Sequence, residues 1–398
     1  MSLLARADLE QLDRTDPLAH MRDQFDLPRG VIYLDGNSLG PPPRGVAARI
    51  ARVATQEWGN GLIRSWTDAG WLTLSTSIAE KIARLVGAEP GSVAVGDSTS
   101  INLFKLLGGA LALRPDRRKI LSEEANFPTD LYIAEGLIRH LGRGHRLQLV
   151  ATETIAAAID DDTAVVMLTH VNYRTGAMYD MAAITAAAHA RDALIIWDLS
   201  HSVGAVPVDL ARAGADLAVG CGYKYLNGGP GAPAFLSIAP YLHDSLPLPI
   251  IGWLGHADPF AFETSYRPAC GIARVLTGTP PILSLTALDA GVDVALQAPI
   301  EAIRTKSLQQ TELFIRLTEQ ECGDTLRLVT PREAEQRGSQ ICFAHPDAGV
   351  IVQMLVNRGV IGDFRPPDIL RFGIAPLYLR YTDLWDAVAV IREMLRVS

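Results

Sequence analysis

Between about residues 90 and 240, short β-branched apolar runs alternate with Ala- and Leu-rich stretches of helical period. This alternation restricts the chain to α/β architecture, with a mostly parallel sheet built from βαβ units. The runs predict strands at Val93 to Val95, Lys119 to Ser122, Arg146 to Val150, Ala164 to Thr169, Leu194 to Asp198 and Ala215 to Gly220. Helices are expected over Ile101 to Leu113, Thr129 to Leu141, Met181 to Ala190 and Val208 to Ala213. Ligands of such sheets bind beyond the carboxyl ends of the strands. The residues that follow each strand are therefore where chemistry is to be sought.

After Pro240 the chain is rich in Pro, Gly and Trp and reads as loop; a long helical stretch is expected from about Pro281 to Gln320, followed by short strands and helices. The expected division is an N-terminal arm over 1–55 packing on a small domain, a large domain over 56–285 and a smaller α+β domain over 286–398. With 44 acidic and 36 basic residues the net charge is −8, and 48% of the chain is hydrophobic. That composition excludes a disordered chain and offers no positive field for nucleic acid or an anionic membrane. The four cysteines form no CxxC pair and the nine histidines no HExxH, so neither a disulfide framework nor a metal site is expected. The N-terminus lacks a long apolar core with a cleavage site, and longer uncharged stretches are cut by Gly and Pro. A cytoplasmic chain that spans no membrane is the expectation.

Two strand ends carry the chemistry. Leu194 to Trp197 runs into Asp198, which alone reads equally as an aspartate that starts a turn. The next apolar run ends before Tyr223 and Lys224, which precede a glycine-rich turn. The chain has five lysines, and Lys81, Lys105, Lys119 and Lys306 stand in ordinary helix or strand-edge contexts. A lysine backed by close-packed glycines suits an imine-forming amine. An aspartate at one strand end and a lysine at the next match pyridoxal phosphate, whose pyridine nitrogen needs a carboxylate and whose aldehyde needs an amine. Asp97-Ser98-Thr99-Ser100 opens a helix and could cup the phosphate, although ordinary N-capping explains the same residues. Competing glycine motifs fail. Gly229 to Ala234 matches GxGxxA but places Pro233 in the helix such a turn must open, and neither a P-loop GK nor a GxSxG elbow is present.

The segments YLDGNSLG (33–40), GLIRSW (61–66), NFPTD (126–130), WDLSH (197–201) and GYKYLNGGPG (222–231) resemble the kynureninases, as do GWLGH (252–256), TGTPPIL (277–283) and RFGIAPLY (371–378). The resemblance spans about residues 30 to 380 and implies the fold-type I architecture of pyridoxal phosphate enzymes: a large cofactor-binding domain and a small C-terminal domain. It implies hydrolysis of L-kynurenine to anthranilate and L-alanine, within tryptophan degradation by the kynurenine pathway. Lys224 would form the Schiff base and move the Cα proton, and Tyr223 would act as a general acid beside the phosphate. Asp198 would pair with the pyridine nitrogen, His201 would support the ring and Phe127 would stack on it. Thr99, Ser100, Tyr223 and Trp253 would surround the phosphate, and Pro128, Thr129, Asp130 and Thr169 would line the same pocket. Arg371 would clamp the substrate carboxylate, with Ser38, Trp66 and Gly278 on the substrate side. Thr279 and Trp253 would complete a neighbouring subunit's site, which implies a homodimer. Trp66, Gly278 and Thr279 stand where relatives that accept 3-hydroxykynurenine carry polar residues, so that substrate is expected to be the poorer one. Another fold-type I enzyme, an aminotransferase or cysteine desulfurase, is the nearer alternative; for a desulfurase, Cys342 reads as a buried strand residue. A cofactor-free scaffold is the more distant one.

Overall fold

The structure, a computed structural model, describes residues 4–396. A seven-stranded sheet runs in the order Val93–Val95, Phe235–Ile238, Leu217–Gly220, Leu194–Asp198, Thr163–Thr169, Lys119–Glu123, Arg146–Val150. All its strands are parallel except Phe235–Ile238, which pairs antiparallel with both neighbours. This strand was not foreseen: its four residues lie between a glycine-rich turn and Pro240, with no helical stretch beside them to mark a βαβ alternation.

Both faces of the sheet are covered, which explains why the central strands are continuously apolar. Side chains alternate across the sheet. Val166, Leu168, Ile195 and Trp197 pack under the helices Trp71–Leu85 and Ile282–Ala295. Val165, Met167, Leu194 and Ile196 pack under Thr99–Leu113 and Pro128–Leu141.

The helical stretch expected from Pro281 to Gln320 is two helices, Ile282–Ala295 and Ile300–Cys322. Pro299 divides them, because its ring excludes the preceding turn and it has no N–H to donate; it stands instead at the N-cap of the second helix. Val208 lies outside the short helix Leu210–Ala213, whose start is set by the Asp209 carboxylate accepting from Arg212 N–H at 3.0 Å.

A four-stranded antiparallel sheet, Asp363–Arg365, Ile369–Gly373, Gln340–Ala344 and Arg327–Leu328, forms the C-terminal part. Its core takes Leu9, Met21, Phe25 and Leu34 from the start of the chain, and Ile32–Tyr33 pairs in parallel with Val360–Ile361. The segment that follows Tyr33 is thereby carried toward the carboxyl ends of the large sheet. Among the described residues, no helix is long and apolar enough to cross a membrane.

Candidate active site

Lys224 sits on a turn locked from three sides. Gly228 N–H donates to Gly222 O and Asn227 N–H to Lys224 O, both at 2.9 Å. Asn227 holds a φ of 55°, a left-handed conformation that asparagine tolerates better than most residues. From below, Gly40 N–H donates to Tyr223 O at 2.8 Å. A Cβ at Gly40 would lie 2.3 Å from both Lys224 O and Asn227 Oδ1, so the approach requires glycine. The half-buried Lys224 Nζ is 2.9 Å from His201 Nε2, 5.9 Å from the centre of the Phe127 ring and 5.8 Å from that of Tyr223.

Asp198 ends the strand Leu194–Asp198, and its Oδ1 accepts from Ser200 N–H at 2.8 Å and Ser200 Oγ at 2.6 Å. Asp130 reaches the same point from the first turn of Pro128–Leu141. Burial raises both carboxyls. Their neighbours separate them: Lys224 favours ionisation of both, but the Asp198 charge pushes Asp130 well above the carboxylate range, whereas the two Ser200 donors favour the ionised form of Asp198 alone. His201 is held neutral, first by burial and then by the charges of Lys224 and Arg371. Asp130 Oδ2 and His201 Nδ1 are buried without a protein partner. Buried polar atoms rarely remain so. Beside a lysine and an aromatic face, two such atoms fit a ring that carries polar groups.

The Phe127 ring is set by its neighbour. Asn126 Oδ1 accepts from Phe127 N–H at 2.8 Å and from Thr169 Oγ, and Asn126 Nδ2 donates to Ser122 Oγ at 2.9 Å. Pro128 and Thr129 open the helix behind it, Pro128 at the position where its missing N–H costs nothing. Thr99 and Ser100 are the first residues of Thr99–Leu113, where Ser98 Oγ accepts from Ile101 N–H at 3.3 Å. Their own N–H groups have no acceptor within the helix, so amide donors and two hydroxyl-bearing residues stand together at its start.

Arg371, 1% exposed, is brought in by the antiparallel sheet, where it lies opposite both Cys342 and Asp363. Nε donates to Asp363 Oδ1 at 2.8 Å, Nη1 to Tyr173 O at 2.8 Å, and Nη2 to Ser38 Oγ at 2.6 Å and to Asp363 Oδ2. Tyr173 stands edge-on to Phe127 with ring centres 5.2 Å apart, which links Arg371 to the lysine site. Asp363 and Arg365, which share this cluster, were not foreseen from the sequence, because nothing in a short DFR strand marks its partners. Cys342 lies in the middle of its strand, fully buried, and burial pushes its thiol up to about 12.

Four expected residues lie elsewhere. Trp66 stands edge-on to Trp71 at 5.7 Å, Trp253 packs against Phe260 at 5.9 Å, and Gly278 and Thr279 are exposed. Among the described residues none of the four has a hydrogen bond or ring contact with the Lys224 cluster. The lysines that read as ordinary also differ from expectation. Lys105 and Lys119 are 1% exposed and Lys306 5%, each paired with an aspartate: Lys105 with Asp97 just before its own helix, and Lys119 and Lys306 with Asp160 and Asp16 from separate segments.

Asp35, at the edge of the Arg371 cluster, has a buried Oδ1 without a partner, and its carboxyl is pushed up to about 6 by burial and then by Asp363. The folded state thus resists an ionisation that the unfolded chain completes near the ordinary value, and stability falls as pH rises from about 4 to 6. Asp35→Asn is expected to stabilise the protein by up to ~3 kcal/mol at pH 7.5, and by much less at pH 4.5. Urea unfolding at the two pH values checks this; a gain that does not change with pH would remove Asp35 ionisation as its cause.

Residues 303–391 match the family model described as Kynureninase C-terminal domain. The chain is 55% identical over 399 residues to a kynureninase of Pseudomonas fluorescens, covering 99% of this chain and 96% of that one. It is 53% identical over 396 residues to a kynureninase of Burkholderia pseudomallei strain 1106a, covering 98% and 95%. Among solved structures, a C-DES mutant with glycine covalently linked to the PLP cofactor aligns with a TM-score of 0.82 at 18% identity, over 94% of this chain and 99% of that one. A cysteine desulfurase from Thermococcus onnurineus NA1 aligns with a TM-score of 0.80 at 17% identity, over 96% and 98%. At that identity these two structures speak for the fold alone, the fold-type I architecture, whereas identity above one half over nearly the whole length of both chains places this one more narrowly: it belongs to the kynureninase family.

Proposed function

We infer that the chain hydrolyses L-kynurenine to anthranilate and L-alanine, with pyridoxal 5′-phosphate held at Lys224. The observation that carries this reading is the convergence, in a chain of this family, of Lys224, His201 and Phe127 on one point, with the buried carboxyls of Asp198 and Asp130 beside it. Pyridoxal phosphate, when bound, supplies an electrophilic carbon for the substrate amine and a protonated ring that withdraws electrons from the bond to be broken.

The residues would divide the work as follows. Asp198 pairs with the protonated ring nitrogen, and the proton on Asp130 spares the site a second negative charge. His201 supplies a neutral partner through its unpaired Nδ1, and Thr169 lines the wall beside Asn126. Phe127 offers its face to the ring. Thr99 and Ser100 hold the phosphate with hydroxyls and helix-terminal N–H groups. Lys224 takes the proton from the substrate Cα, and Arg371 with Ser38 takes the α-carboxylate. Burial raises the Tyr223 hydroxyl above its ordinary value, so it keeps its proton near neutral pH and can donate it near the substrate's side-chain carbonyl.

A homodimer with shared sites accounts for the surface. Trp253, Gly278 and Thr279 face outward, and Trp58, Leu62, Ile63 and Leu283 form exposed apolar surface on the same chain. A partner would cover these residues and receive Trp253 and Thr279 in its phosphate site. A cytoplasmic location agrees with four free cysteines, and the net charge of −8 disfavours nucleic acid and anionic membranes as partners.

Anthranilate fluorescence from purified protein with L-kynurenine and pyridoxal phosphate tests the reaction; no release of anthranilate would overturn it. A parallel measurement on 3-hydroxykynurenine is expected to give the lower kcat/KM, because an apolar Trp66 offers the added hydroxyl no partner. In the same assay Tyr223→Phe is expected to bind the cofactor but turn over ~100-fold more slowly, within the usual range for a general acid. Unchanged turnover would remove Tyr223 from the mechanism. The desulfurase alternative finds no support in Cys342, whose buried thiol is held protonated.

A further inference from the structure

Helix Thr99–Leu113 buries a lysine in its apolar face. Lys105 is 1% exposed between Leu103 and Leu106, and its Nζ donates to Val275 O at 2.8 Å and to Asp97 Oδ2. Taking an ammonium out of water costs several kcal/mol before its pairing is counted. A leucine or methionine here would pack without that cost, so the demands of the core do not account for the residue.

What the charge holds is a junction. Asp97 immediately precedes the helix start that carries Thr99 and Ser100, and it adopts a φ of 51°. Its carbonyl accepts from Ala234 N–H at 3.0 Å, and its carboxylate accepts from Thr277 Oγ1 at 3.3 Å. One residue thus joins three segments: its carboxylate ties the helix that carries Lys105 to the loop that continues into Gly278 and Thr279, and its backbone carbonyl holds the start of the strand beyond the Lys224 turn. The carboxylate also stands next to the groups that would receive a dianion. Like charges placed so close repel strongly, and the Lys105 ammonium neutralises the carboxylate from beneath, where it is itself buried.

We propose that Lys105 is a positioning residue for the cofactor phosphate: its ion pair with Asp97 is a charge-neutral strut that fixes the cup and the 277–279 loop and cancels a carboxylate beside them. The proposal rests on the reading of Thr99 and Ser100 as the phosphate site. Lys105 touches neither cofactor nor substrate. Where Thr279 serves the neighbouring subunit, one strut sets phosphate contacts in both sites of a dimer.

The test is pyridoxal phosphate affinity, measured by equilibrium dialysis against apoprotein, with thermal unfolding of each apoprotein alongside. Lys105→Met is expected to bind about tenfold or more weakly, the scale of an uncompensated like charge, with little change in apo unfolding temperature. Adding Asp97→Asn removes the exposed carboxylate and is expected to restore most of that loss, a recovery that a merely structural lysine would not give. Wild-type affinity in Lys105→Met overturns the proposal, as does a double variant that binds no better than the single one. If Lys105→Met does not fold, Thr277→Val decides, since it severs the loop and leaves the ion pair: weaker binding by about threefold, the loss of one modest hydrogen bond, is expected, and unchanged binding overturns the strut. Wild-type protein that fails to bind pyridoxal phosphate defeats the underlying reading instead.

Discussion

Lys224→Ala is expected to lower L-kynurenine turnover by ~10³-fold or more, since a positioned base alone contributes about 10²–10⁴ and this residue would also hold the cofactor. The local structure indicates that the loss will be chemical. The turn is held by the Gly228, Asn227 and Gly40 backbone bonds, none of which uses the lysine side chain. Nζ contributes one hydrogen bond, to His201, and half-buried methylenes near Phe127 and Tyr223. The alanine variant should therefore fold, retain pyridoxal phosphate non-covalently through the remaining contacts, and lose any cofactor that borohydride can fix to the chain. Far-UV circular dichroism, cofactor content after dialysis and borohydride labelling separate these outcomes. Wild-type labelling in the alanine variant, or turnover within tenfold of wild type, would assign the amine to another residue. Among the remaining lysines, Lys105, Lys119 and Lys306 are buried in ion pairs, and Lys81 is bound by Asp289 and Asp293.

That one lysine could be singled out from sequence reflects what local pattern records and what it omits. Apolar runs that alternate with helical stretches mark buried parallel strands, and a charged residue at or just past the end of such a run stands beyond the sheet; Asp198 and Lys224 were singled out on that ground. Partners brought by other segments leave no such mark. Lys105 and Lys306 read as helix lysines because the sequence around them does not reveal that Asp97 and Asp16 close over them. The protonation of Asp130 depends on Asp198, which arrives from another strand, and the orientation of Arg371 depends on Asp363 across a sheet register. Phe235–Ile238 failed for a different reason: it lies between a glycine-rich turn and Pro240, with no helical stretch beside it to mark an alternation, and its burial comes from insertion between strands on both sides. Trp66, Trp253, Gly278 and Thr279 were named only through resemblance, and within one chain they remain apart from the lysine.

Arg371 carries the second large expectation. A guanidinium has five N–H donors. Here Nε and one Nη2 donor go to Asp363, the other Nη2 donor goes to Ser38 Oγ, and one Nη1 donor goes to Tyr173 O. On the proposed reading, the remaining N–H on Nη1 would take the substrate carboxylate, and a second contact would come from Ser38, either by turning its hydroxyl toward the carboxylate or by yielding Nη2. Asp363 thereby fixes the plane of the fork, and it is itself shared with Arg365, so two guanidiniums meet around one carboxylate that they hold below its ordinary value. Arg371→Gln is expected to lower kcat/KM for L-kynurenine by ~10²–10³-fold, chiefly through KM, because losing one partner of a buried charge pair costs about 2–5 kcal/mol. Pyridoxal phosphate affinity should stay close to wild type, because the proposed phosphate cup at Thr99 belongs to another segment. Arg371→Lys is expected to rescue little: an ammonium on a flexible stem has three donors and no plane, and it must still satisfy Asp363 and Tyr173 O before it reaches a substrate. A lysine variant with near wild-type KM would show that only charge is needed here. A glutamine variant with unchanged KM and reduced kcat would move Arg371 from carboxylate binding to the chemical step.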